Sequence, residues 1–75
     1  MKWIPVWIPV SEPPEVGVRV LLYDEWNDDI LSGKIIVRDK RKLWDVIGVY
    51  TYYPVGALPY THWMQRPEPP KKPDA

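Results

Sequence analysis

The sequence contains no cysteine and no phenylalanine, a single histidine and only four glycines among its 75 residues. Without cysteine, neither a disulfide-stapled secreted scaffold nor a Cys-ligated zinc module can form. Ten Lys+Arg balance ten Asp+Glu, so the formal net charge is zero, and the basic excess of a strong non-specific DNA binder is missing. No apolar run approaches the ~20 residues of a membrane span or the apolar core of a secretory leader, so neither a membrane segment nor a leader is expected. The glycines stand far apart, which leaves no Gly-rich phosphate loop. One histidine, no cysteine and no Gly-x-Ser-x-Gly leave a nucleophilic triad without its parts. The expectation is a protein that is not an enzyme and uses no cofactor.

What the chain does carry is ten prolines, five tryptophans and five tyrosines. A chain this short builds one hydrophobic core, and large rings with few rotatable bonds are efficient material for it. Proline cannot donate to a sheet ladder. Pro5, Pro9, Pro13 and Pro14 therefore predict an extended, irregular start, and Pro67, Pro69, Pro70 and Pro73 an extended end. Residues 1–66 read as a single small β domain and residues 67–75 as a Pro-rich polar tail. Within that tail Pro67, Pro70 and Lys72 match the form of an SH3 ligand, but the match is read as coincidence in a polar tail that crosses the fold.

The middle reads as strands. Residues 18–24 alternate partially, with Val18, Val20 and Leu22 on one face and Arg19, Leu21 and Tyr23 on the other. Residues 24–29 are a polar turn. Residues 30–37 follow, interrupted by Ser32, Gly33 and Lys34, and then a charged turn at 38–42. Residues 43–46 and 49–53 predict a hairpin around Ile47 and Gly48. Residues 54–59 form a loop and 60–64 a last short strand. No window carries an i, i+3, i+4 apolar stripe with caps, and residues 25–31 are the one stretch that could form a short helical turn. The expected fold is all-β, a small antiparallel sheet or open barrel of about five strands.

Trp3-Ile4-Pro5-Val6 is followed at once by Trp7-Ile8-Pro9-Val10. The even period presents the same side chains to the same face of an extended chain. An added edge strand of this kind could pair across a two-fold axis, giving a homodimer.

Two segments together carry a family resemblance. The first is Trp7-Ile8-Pro9-Val10 with Pro14-Glu15, Gly17 and Val20-Leu21-Leu22-Tyr23; the second is Thr61-His62-Trp63-Met64 with Pro67-Glu68-Pro69-Pro70. Together they resemble the small phage and prophage family known as domain of unknown function 551. Its members open on Trp-Ile-x-Val, a Leu-Pro-x-x-Gly turn and a Val-Leu-Val strand, and close on Thr-His-Trp-Met and Pro-Glu-Pro-Pro. The first turn is one residue shorter here, Pro13 stands where Leu or Arg is usual, and Gln65-Arg66 replaces Pro-Leu. The resemblance implies a viral or prophage gene and hence a bacterial cytoplasm; it brings no activity or catalytic residue. Trp7, Gly17, His62 and Trp63 are its structural residues, and Trp7 and Trp63 are expected to share the core.

Three surface clusters remain. Asp24, Glu25, Asp28 and Asp29 surround Trp26; their spacing is not that of an EF-hand. The cluster is either a solvated turn or an acidic patch for a basic partner. Trp26 either folds back onto the core or anchors a partner, since Trp is enriched at interface hot spots. Tyr50, Tyr52 and Tyr53 are expected on a strand, with Tyr50 and Tyr52 on one face, so at least one ring should meet solvent or a partner. Arg38, Lys40, Arg41 and Lys42 form the basic run, either a turn that protects a sheet edge or phosphate contacts beside Trp44 and the tyrosines as stacking groups. The function expected is non-enzymatic binding to a host or phage protein, possible interference with an antiviral defence included. Single-stranded nucleic-acid binding is the alternative.

Overall fold

The computed structural model describes residues 6–67. These hold no helix; they form one six-stranded antiparallel sheet in the order β1-β6-β2-β3-β4-β5. The strands are β1 (Ile8–Pro9), β2 (Val20–Asp24), β3 (Asp29–Arg38), β4 (Arg41–Val46), β5 (Tyr53–Pro54) and β6 (Tyr60–Gln65). The all-β expectation holds, with six strands rather than five because two are only two residues long. The first Trp-Ile-Pro-Val copy, up to Pro5, and the tail from Glu68 lie outside the described residues. The second copy contributes β1, at one edge of the sheet.

The sheet curls around its own apolar face. Trp44 of β4 and Tyr60 of β6 stand three strand positions apart, about 14 Å along a flat sheet. Their ring centroids are nevertheless only 6.4 Å apart. Tyr53 of β5 reaches Tyr60 in the same way, at 5.8 Å. Val20, Leu22, Ile35, Trp44, Val46 and Tyr60 are the buried core, with Leu31, Tyr53 and Trp63 packed against it.

Alternation sets most of this core, and one irregularity completes it. Leu22 pairs with Trp63 and Tyr23 with His62, but Asp24 pairs with Tyr60, so Thr61 is an extra residue in β6. Tyr60 and Trp63 are three apart and would point to opposite faces of a regular strand. The bulge lets both face the core. This was not visible in the sequence.

β3 is a continuous ten-residue strand. Ser32, Gly33 and Lys34, expected to interrupt it, lie inside it, with Gly33 paired to both Val20 and Val46. The polar turn expected after Asp24 is present, and residues 25–31, the one stretch that could have formed a short helical turn, are a tight turn followed by the start of β3.

The hairpin expected from residues 43–46 and 49–53 does not form. A turn does close there, with the Val49 N–H donating to the Val46 carbonyl at 3.1 Å and Gly48 at φ 83°. Positive φ at the third residue marks a type II turn, whose twist splays its flanking strands. The chain therefore swings away through residues 47–52 and rejoins β4 only where Tyr53 meets Trp44 and Pro54 meets Leu43.

The β3–β4 turn is tighter than the charge run suggested: Arg38 pairs with Arg41, leaving only Asp39 and Lys40 between them. Both have positive φ, 50° and 63°, as a type I′ hairpin demands. A left-handed conformation costs an L-residue roughly 1–2 kcal/mol, part of which glycine returns as unfolded-chain entropy. Lys40→Gly should therefore stabilise the protein by about 0.5–1 kcal/mol. The urea midpoint should rise with an unchanged slope; a lower midpoint would contradict the turn assignment.

Candidate partner-binding surface

The β2–β3 connection is organised by Asp24. This carboxylate is 4% exposed. One oxygen accepts from the Trp26 and Asn27 N–H groups at 3.0 and 3.2 Å, and the other accepts from Asn27 Nδ2 at 2.7 Å. A buried carboxylate needs such donors, and Asp is suited to bonding the backbone two residues on. Asp24 is thus a turn-builder rather than part of an acidic patch, which corrects its place among the candidate partner-binding acids. Glu25, Asp28 and Asp29 lie at the surface. Asp29 accepts from the Ile30 N–H at 2.8 Å, and Asp28, at φ 50°, accepts from the Tyr23 hydroxyl at 2.8 Å.

Trp26 is 60% exposed and still anchored. Its ring stands edge-on to Tyr53, with centroids 5.8 Å apart and planes at 86°. Tyr53 meets Tyr60, and Tyr60 meets the fully buried Trp44, each edge to face. A surface indole is thus the outer member of an aromatic series that ends in the core. Each such contact is worth about 0.5–1.5 kcal/mol beyond area. Of the two alternatives for Trp26, folding back onto the core is met in part: the ring packs against Tyr53 and is otherwise open to solvent. Burial, then the charge of Asp24, then Tyr53, raise the Tyr60 phenol above its ordinary range.

The tyrosine run is distributed differently from expectation. Tyr50 is 98% exposed in the 47–52 connection, not on a strand face. Tyr52 lies under Arg38, whose guanidinium carbon is 4.7 Å from the ring centroid. Tyr53 turns inward. Arg38, Asp39, Arg41, Leu43, Tyr52 and Pro54 line a shallow cleft beside the basic turn. Lys40 and Lys42 are exposed near it. Trp44 is fully buried, so it cannot stack on a base, which corrects its candidacy for nucleic-acid contact.

Trp63 packs against the core, and its indole N–H donates to the Glu12 carbonyl at 2.8 Å. Trp7 does not join it. Ile8 pairs with Trp63 on the core side, so its neighbour Trp7 turns to the other face, where it meets Tyr23. His62 lies on that face too, with Nδ1 3.0 Å from Thr61 Oγ1. Gly17 sits at φ 86° in a turn closed by the Val18 N–H on the Glu15 carbonyl. Sequence reasoning missed Tyr23, because its proximity to Trp7 and His62 depends on strand register.

Among the described residues, no cluster of three or more His, Cys, Asp or Glu is arranged to hold a metal ion, and no helix is long and apolar enough to cross a membrane. No family model matches the sequence, no curated protein matches it, and no solved structure matches its fold. The family resemblance therefore rests on the motif residues themselves. Of these, Trp7, Gly17, His62 and Trp63 all occupy defined positions in or against the sheet.

Proposed function

We propose that this chain is a small non-enzymatic binding protein of phage or prophage origin, acting in the bacterial cytoplasm by covering a surface of a host or phage protein. A component of a host antiviral defence is the specific form of partner we favour. The observation that carries the reading is Trp26, exposed yet held by the Asp24 carboxylate and by Tyr53. Preorganised aromatic anchors contribute most to affinity because they lose little freedom on binding. Glu25, Asp28 and Asp29 around it favour a partner with a basic surface. The phage context is supported by the resemblance of the two end motifs, and self-association through the edge at β1 is part of the same proposal.

The test is capture of a partner from host lysate, with and without infection, followed by affinity measurement with the purified partner. Trp26→Ala should weaken binding by about 30-fold, the equivalent of ~2 kcal/mol for a hot spot, with the chain still folded at the assay temperature although its melting temperature falls by roughly 4–8 °C from the lost Tyr53 contact. A second reading, single-stranded nucleic-acid binding, draws on Arg38 stacked over Tyr52 with Arg41 paired beside it. Oligonucleotide binding that falls steeply with salt, is insensitive to Trp26→Ala and is lost on reversing Arg38, Lys40, Arg41 and Lys42 would replace the first reading by the second.

A further inference from the structure

Pro9, His62, Tyr23 and Ile30 form one cross-strand row on the sheet face turned away from the core. Trp7, in the segment leading into β1, lays its ring against Tyr23 with centroids 6.1 Å apart and planes at 67°. Trp7, Tyr23 and His62 line a recess of about 280 Å³ that opens to solvent. That is smaller than most drug-sized pockets and suits a compact head group.

The surroundings are acidic. The Tyr23 hydroxyl donates to Asp28, and this bond, with the nearby charges of Asp28, Glu25 and Asp24, holds the phenol above its ordinary range. Asp28 reaches the recess through the tyrosine hydroxyl, and among the described residues the lining is three rings. Ring faces attract cations, most strongly on Trp. Walls of this kind cannot replace the water shell of a metal ion or a bare ammonium, so they favour a cation whose surface is methyl groups.

We propose that the Trp7–Tyr23–His62 recess binds a quaternary ammonium group. It is separate from the Trp26 anchor, which packs toward Tyr53 on the core side, and it does not depend on the function proposed above.

The experiment is an NMR titration of the full chain with choline, with its neutral isostere 3,3-dimethylbutan-1-ol, and with N-acetyl-trimethyllysine methylamide. Choline should shift the Trp7 indole and His62 ring signals and leave Trp44 in place. The neutral alcohol should bind about tenfold more weakly, within the range of a cation–ring attraction. Whether choline or the trimethyllysine amide binds more tightly assigns the source of the group as a free metabolite or a protein side chain. Trp7→Leu should abolish the His62 shift. Asp28→Asn, which tolerates the positive φ, should weaken binding about threefold by removing the nearby charge. Trp26→Ala should change nothing, which separates this site from the Trp26 anchor. Equal binding of choline and the alcohol, or no movement of the Trp7 signal with either cation, would overturn the proposal.

Discussion

Replacing Trp44 by Ala is expected to remove about 3–5 kcal/mol of stability, the usual cost of emptying a large aromatic site in a core. Trp44 is fully buried, pairs with Ile35 on one side and Tyr53 on the other, and supports Tyr60 across the curl. A 75-residue domain holds roughly 4–11 kcal/mol in all, so this one truncation takes about a quarter of the total or more. The indole N–H of Trp44 is buried with no hydrogen-bond partner, and such a group costs about 1–3 kcal/mol. Trp44→Phe should therefore lose less than half of what Ala loses, because the smaller ring removes that penalty while filling most of the space. Urea unfolding followed by circular dichroism measures both. A loss below about 1 kcal/mol for Trp44→Ala would mean that the aromatic series is not the centre of the core.

Gly33→Val should destabilise by about 3 kcal/mol, at the upper end for overpacking. A Cβ at Gly33 would stand 2.9 Å from Leu22 Cδ1, 3.0 Å from Val46 Cγ2 and 3.1 Å from the Asp45 carbonyl oxygen. Leu22 is fully buried and Val46 nearly so, so neither can step aside into solvent, and the third contact is backbone. Gly33→Ala meets the same three atoms with one methyl and should lose about 1 kcal/mol net, since it also stiffens the unfolded chain. Denaturant midpoints that order glycine above alanine above valine fit a crowded concave face; valine equal to glycine would show that the sheet is open there.

These two positions also mark how far the sequence could be read. The all-β class, the alternation of Val20 and Leu22, and the charged turn were legible because strand period and turn chemistry are local. Gly33 looked like an interruption since glycine weakens an isolated strand; its reason lies in Leu22 and Val46, one strand away on either side. The Val46–Val49 turn was recognised, yet the pairing after it was not, because the twist of that turn splays the strands. Trp7 was expected beside Trp63 on motif grounds, but pairing of Ile8 with Trp63 fixes Trp7 on the opposite face. Of the partner surface, Trp26 and its acids were legible as a cluster. The inward role of Asp24 and the recess beside Tyr23 were not, since both depend on burial and register.

The two charged turns terminate opposite ends of β3, a strand spanning roughly 30 Å. Glu25, Asp28 and Asp29 stand at one end, and Arg38, Lys40, Arg41 and Lys42, less Asp39, at the other. Between them these two turns thus set up a charge separation of about three charges over ~30 Å. A charged partner exerts a torque on such a molecule before contact and turns one chosen end toward itself. Salt with a screening length of ~8 Å confines that torque to the last moments of approach. The fold therefore gives a protein without net charge an orientation preference that a uniformly neutral surface would lack.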